Sequence, residues 1–287
     1  MADLPQALLP VWRGAGALKL PVLIACLYGN RRAPLHAPDF PLVLMISEKA
    51  GCTSLTKWFL FQTGNLDEAT RFHPWVHEYR RSIINRQPGY RWQALRLTLF
   101  HDKPIVKLVR DPYTRAASSF LETLNYTGRK SGNIWALKLI AAARRQAGRG
   151  EVDAPALSFR DFARYLARNG TEWGRVNGHV ARQHVAGEDG RIDRIIKLER
   201  FGDEIRGIES EYGLLPSPLG SLTDSSHHRT KLQQGELSTC SAADMEITCA
   251  QVRDGHVPAY GTLYDDETRQ LVREAFAADF EAYGYDT

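Results

Sequence analysis

Lys49-Ala50-Gly51-Cys52-Thr53-Ser54 places an ammonium group, a glycine, a thiol and two hydroxyls side by side. Such a set can hold an anion: the lysine supplies charge, Thr53 and Ser54 supply O–H donors, and Gly51 lets the backbone approach closely. A second set lies in Val109-Arg110-Asp111-Pro112-Tyr113-Thr114-Arg115-Ala116-Ala117-Ser118, where Arg110 and Ser118 stand eight positions apart. Taken alone, Arg110 could equally pair with Asp111 or with a helix C-terminus. Between the two sets, Phe72 to Arg81 is dense in groups that handle protons or anions, with His73 and His77 four positions apart and Glu78 beside them. Histidines and carboxylates of this kind serve as general bases, and Glu48 is a further carboxylate next to Lys49.

Each set needs an element to aim it. Leu42 to Ile46 is an apolar run of strand length, buried on both faces by its composition. The chain then turns through Ser47 to Gly51, and from Thr53 it carries Leu55, Trp58 and Phe59 at helical spacing, up to a glycine stop at Thr63-Gly64-Asn65. A strand, a tight loop and a helix N-terminus make an anion site, because the first-turn N–H groups lack intrahelical partners and the helix dipole favours negative charge there. Alone, this pattern suits a phosphate site and an ordinary strand-to-helix connection equally. It is not a Walker A loop, because its lysine precedes the single glycine instead of following a second one.

Ile105 to Val109 reads as a second buried strand, followed by a helix from Tyr113 with Ser118 on its second turn. In an open parallel sheet ligands bind beyond the carboxyl ends of the strands, so both loops point to one sheet edge. Pro74 suits the first turn of a helix, with His73 in its cap region and His77 projecting from that turn. Downstream, the pattern predicts helices over Ile134 to Gln146, from Ser158 to Asn169 and over Phe201 to Tyr212, a strand over Arg194 to Leu198, and loops over 171–190 and 216–235. His227, His228 and Lys231 fall in the last of these. Leu271, Val272, Ala275, Phe276, Phe280 and Tyr283 lie on one stripe of a C-terminal helix. The expected class is α/β: a central, mainly parallel sheet flanked by helices. No linker divides the chain, so residues 1–287 form one domain, with 1–40 carrying no clear pattern.

Bulk properties narrow the function. A net charge of +4 and a pI near 8.9 suit an anionic ligand and are too weak to imply nucleic acid. Four cysteines show neither CxxC pairing nor metal spacing, which implies a reducing compartment, and no bound metal is expected. Ala17 to Tyr28 is apolar but too short to span a bilayer; it leaves room for weak membrane association, with packing on the domain as the plainer reading.

Lys49 to Ser54 after one strand and Arg110 to Ser118 after another together resemble the sulfotransferases that use 3′-phosphoadenosine-5′-phosphosulfate (PAPS). The pair is most similar to the branch of Golgi carbohydrate sulfotransferases and their bacterial relatives. Ile192 to Phe201 resembles that family's late strand and Tyr264 to Tyr285 its closing helix, so the resemblance runs from about Leu42 to the C-terminus. It implies a P-loop-like three-layer fold. It also implies that Lys49, Ala50, Gly51, Cys52, Thr53 and Ser54 hold the 5′-phosphosulfate, and that Arg110 and Ser118 hold the 3′-phosphate. Lys49 would stabilise the leaving group, and His77, or second His73, would take the proton of an acceptor hydroxyl, by resemblance that of a carbohydrate. The product would be adenosine 3′,5′-bisphosphate. The missing membrane anchor favours a bacterial-type cytoplasmic member.

Two rivals stand against this reading. A P-loop NTPase or small-molecule kinase needs a magnesium-binding carboxylate after a buried strand, which Leu97 to Asp102 could imitate. A non-enzymatic binder of anionic polysaccharides would use surface arginines such as Arg80, Arg81, Arg144, Arg145 and Arg149.

Overall fold

A computed structural model describes residues 20–28, 32–129, 134–150, 154–223 and 241–287. Three parallel strands form the central sheet in the order β1 (Val43–Met45), β2 (Ile105–Val109), β4 (Arg194–Lys197). Val43 pairs with Ile105, and Val106 with Arg194, so the three carboxyl ends lie along one edge. Lys49 follows the first end and Arg110 the second.

The strands are short and apolar because both faces are covered. On one face Leu44, Val106, Leu108 and Ile196 pack with α2 (Cys52–Gln62), α3 (Leu66–Phe72), α4 (Val76–Ser82) and α9 (Phe201–Glu211). On the other, Val43, Met45 and Ile105 pack with Leu23 and Cys26 of α1 (Leu20–Tyr28) and with Leu95 and Leu97 of α5 (Tyr90–Phe100). This alternation is the period-two consequence of strand geometry. Trp58 of α2 is fully buried, and its indole N–H donates to Glu209 of α9 at 3.0 Å. Truncating such a side chain costs about 3–5 kcal/mol, so this contact pins α2 and the loop that enters it.

A separate, largely helical core joins α6 (Pro112–Thr127), α7 (Ile134–Gln146), α8 (Phe159–Asn169), α12 (Asp266–Ala275) and α13 (Ala277–Tyr283). β3 (Ala156–Leu157) and β5 (Ile247–Thr248) add a small antiparallel pair to it. The short helices α10 (Leu219–Thr223) and α11 (Cys249–Asp254) complete the described elements.

Four expectations need correction, the first being the loop expected over 216–235, which holds helix α10. The C-terminal helix is two helices, broken at Phe276 (φ −120°, ψ 24°). The Thr171 hydroxyl donates to the Ala275 carbonyl at 2.5 Å, and the Asp279 N–H turns instead to the Phe276 carbonyl. Pro74 does not open a helix: α4 begins at Val76 with Trp75 as N-cap, and His73 is extended (φ −160°, ψ 138°), since a residue before proline is pushed out of the α region. Leu97 to Phe100 belongs to α5, so Asp102 follows a helix and not a buried strand.

β2 also carries a buried charge. Lys107, 1% exposed, donates to Glu188 at 2.6 Å and to the Gln183 carbonyl at 2.8 Å, and Tyr283 donates to the same Glu188 at 2.6 Å. Burial lowers the Lys107 pKa, which Glu188 opposes. Tyr285 hydrogen-bonds Glu199 at 3.0 Å, and Glu199 in turn accepts the Asp111 N–H at 2.8 Å. Tyr283 of the last helix thus braces β2, and Tyr285 just beyond it braces the loop after β2.

Candidate active site

The loop after β1 is shaped by two left-handed residues. Gly51 (φ 81°) is the N-cap of α2, and no side chain caps that end. Its N–H groups at Cys52, Thr53 and Ser54 are therefore the ones a bound anion can use. The left-handed angle favours glycine at 51, and a Cβ there would lie 2.5 Å from Leu198 Cδ1, whose side chain would have to shift. Lys49 is left-handed without being glycine (φ 65°). That conformation costs on the order of 1–3 kcal/mol and collects at functional sites. Ala50 is fully buried and Ser54 nearly so.

The loop after β2 comes to meet it. Arg110 Nη1 donates to the Lys49 carbonyl at 3.3 Å, and its Nε donates to Thr114 Oγ1 at 3.1 Å. Asp111 does not pair with Arg110 there; it caps α6, accepting the Thr114 N–H at 2.8 Å. Thr114, Ser118 and Glu122 recur every four residues along one face of α6. Lys49 Nζ reaches the end of that face, donating to Glu122 Oε2 at 3.3 Å, while Arg129 holds the other carboxylate oxygen at 2.8 Å. The lysine, the arginine and Ser118 therefore belong to one surface.

His77 is on the first turn of α4, as expected, and it faces the same loop. Its Nε2 lies 3.1 Å from Thr53 Oγ1 and 3.5 Å from Cys52 Sγ. The half-exposed Trp75 ring stands edge-on to it at 5.4 Å. A strained lysine, an uncapped helix end, an arginine spanning two loops and a histidine on the first helical turn thus meet at one sheet edge. The family model for the sulfotransferase family matches residues 35–286. The chain belongs to the sulfotransferase family. No curated protein and no solved structure matches it.

Sulfotransferases move a sulfuryl group from a sulfate donor to a hydroxyl-bearing acceptor, and the remaining side chains of this sulfotransferase can be judged against that task. His73 is not brought to the loop: it ends α3, and its Nδ1 accepts the Trp75 N–H at 2.9 Å. Glu48 is poorly suited to take a proton. Burial would raise its pKa, but Arg32 at 2.8 Å, together with His179 and a backbone hydrogen bond, brings it down to about 2. The Glu78 carboxyl is also lowered, by the Ser82 hydroxyl at 2.7 Å and by its ion pair with Arg81. Burial pushes the Cys52 thiol up, so it is a small neutral neighbour and not a thiolate.

Several site residues carried no sequence signal. Glu122 and Thr114 draw no attention in the sequence, and Arg129 reads only as part of the loop over Gly128 to Gly132. His179 sits among Glu48, Glu122, Lys49 and Arg129, with Nε2 3.1 Å from the Tyr126 hydroxyl. Burial lowers its pKa to about 4, so it is neutral at pH 7, and its Nδ1 has no hydrogen-bond partner among the described residues. The polar segment holding His227, His228 and Lys231 lies outside the described residues. Among those described, no group of His, Cys, Asp or Glu is placed to hold a metal ion, and no helix is long and apolar enough to cross a membrane.

Proposed function

We propose that this sulfotransferase takes its sulfuryl group from PAPS and delivers it to a carbohydrate hydroxyl. The reading rests on one observation: the Arg110 guanidinium lies 3.3 Å from the Lys49 carbonyl, so both phosphate-binding loops are within reach of a single nucleotide. The N–H groups of Gly51 to Ser54, with the Thr53 and Ser54 hydroxyls, bind the 5′-phosphosulfate. Arg110, steadied by Thr114, binds the 3′-phosphate together with Ser118. Lys49 leaves Glu122 to stabilise the bridging oxygen as its bond to sulfur breaks. His77 accepts the proton of the incoming hydroxyl as the new O–S bond forms. Positioning and charge stabilisation carry the rate, as in phosphoryl transfer. Trp75, exposed beside His77, offers a face for a sugar ring. The two-sided packing of the sheet supports a P-loop-like three-layer fold. Bacterial-type, cytoplasmic membership belongs to the same reading, on the resemblance and the cysteine usage.

Isothermal titration with adenosine 3′,5′-bisphosphate, followed by labelled PAPS against a panel of glycans read by mass shift, tests the proposal. Tight nucleotide binding and a sulfated glycan that still forms in EDTA are expected. Loss of activity on chelation favours the kinase reading, which the helical setting of Asp102 already disfavours. Binding of sulfated glycans without the nucleotide favours the polysaccharide-binding one.

Arg110→Ala is expected to raise the KM for PAPS about 10- to 100-fold, the scale of one charged hydrogen-bonding partner, with kcat little changed. Steady-state kinetics at saturating acceptor measures this, and an unaltered KM moves the 3′-phosphate site elsewhere.

A further inference from the structure

The two phosphate-binding loops are held by a connector that the proposed chemistry does not use, residues 178–184. It has no regular secondary structure, yet it is buried at Gly178, Val180, Ala181 and Gln183. Two arginines fasten it to the first loop. Arg32 donates to Glu48 at 2.8 Å and to the carbonyls of Arg182 (3.0 Å) and Gly178 (3.3 Å). Arg115 donates to the Glu48 carbonyl at 3.1 Å and to the Ala181 carbonyl at 2.5 Å. Gly178 packs so tightly on the Glu48 carboxylate that a Cβ there would lie 2.4 Å from Oε1.

Gln183 fastens the same connector to the second loop. Its side-chain oxygen accepts the Arg110 N–H at 2.8 Å, and its side-chain nitrogen donates to the Arg110 carbonyl at 2.8 Å. One amide thus brackets both backbone polar groups of the residue that carries the guanidinium. Gln183 is itself fully buried and anchored, because Asp279 of α13 accepts its N–H at 2.9 Å and the His184 N–H at 2.7 Å. Asp279 is also fully buried.

A side chain whose amide satisfies both backbone groups of one strand-end residue fixes that residue's dihedral angles, and so the direction in which its side chain leaves. Because the same connector grips Glu48, next to Lys49, it also sets the spacing between the two loops. We propose that Gln183 is a positioning residue for Arg110 and that the 178–184 connector acts as a gauge selecting nucleotides phosphorylated at both the 3′ and 5′ positions. This rests on the reading that Arg110 binds the donor's 3′-phosphate.

The test compares Gln183→Met, which keeps the length of the side chain and removes both bonds to Arg110 together with a 3.4 Å side-chain bond to Asp279, with the wild-type chain. Titration calorimetry with adenosine 3′,5′-bisphosphate and with adenosine 5′-monophosphate gives the two affinities, and kinetics give kcat and KM for PAPS. The bisphosphate affinity is expected to fall about tenfold, the scale of one lost hydrogen bond. The monophosphate affinity and kcat at saturation stay within about twofold. Gln183→Asn, one methylene too short to hold both bonds, carries the same comparison should the first variant not fold. Equal losses for both nucleotides, or no loss for either, overturn the proposal. If the wild-type chain discriminates and Arg110→Ala abolishes discrimination while both Gln183 variants retain it, the gauge alone falls. A wild-type chain indifferent to the 3′-phosphate removes the donor reading, and the gauge with it.

Discussion

Lys49→Ala is expected to lower kcat by about two orders of magnitude while changing nucleotide affinity only slightly. A group that acts mainly on charge developing in the transition state is worth about 3 kcal/mol, whereas one that binds ground and transition states alike changes KM instead. The structure favours the first behaviour. The ammonium group is paired with Glu122 at 3.3 Å, so donor binding in the ground state must compete with that ion pair. Folding is not the route of the loss. Glu122 keeps Arg129 at 2.8 Å when the lysine is gone, and alanine at position 49 is no more strained by a left-handed backbone than lysine is. Calorimetry with adenosine 3′,5′-bisphosphate alongside steady-state kinetics separates the two roles. Parallel losses in both would reduce Lys49 to a binding residue.

His77→Ala is expected to cut turnover by roughly 10²- to 10⁴-fold, the usual worth of a positioned general base, with nucleotide affinity intact. The contrast with its neighbours makes this a sharp expectation. The Glu48 carboxyl is committed to Arg32, Glu78 to Arg81 and Ser82, and His73 Nδ1 to the Trp75 N–H. His77 also touches Thr53, a hydroxyl assigned to the phosphosulfate, so a second outcome is informative. If the variant loses nucleotide affinity in step with kcat, the imidazole serves to orient that hydroxyl. Near-normal turnover would pass the proton to His73 or to a carboxylate.

The two strand ends and their loops were readable from residue order because local signals dictate them. Apolar runs without alternation mark strands covered on both faces, and a left-handed glycine before an apolar-periodic segment marks the helix entry. The helix expected at Pro74 starts instead at Val76, because the proline's effect on His73 outweighed its own preference for a helical first turn. The connector over 178–184 was opaque for a different reason. It has no period to detect, since it is held by side chains from Arg32, Arg115 and Asp279, remote in sequence, on its carbonyls and N–H groups. Glu122 was hidden because a carboxylate on a helix face is ordinary; only the approach of Lys49 makes it part of the site. The break at Phe276 depends on a hydroxyl from Thr171, which no reading of the final stretch could contain.

The bracing of the site by Asp279, Tyr283 and Tyr285 bears on how the molecule is made. Lys107 lies in the second strand, yet its carboxylate partner and the tyrosine sealing that partner emerge from the ribosome much later. Until synthesis has passed residue 285, the nascent polypeptide holds an ammonium group and a strand-end arginine whose final supports do not yet exist. The sheet can begin to assemble during translation, but the supports of its second strand end close only once residues 279–285 have been made.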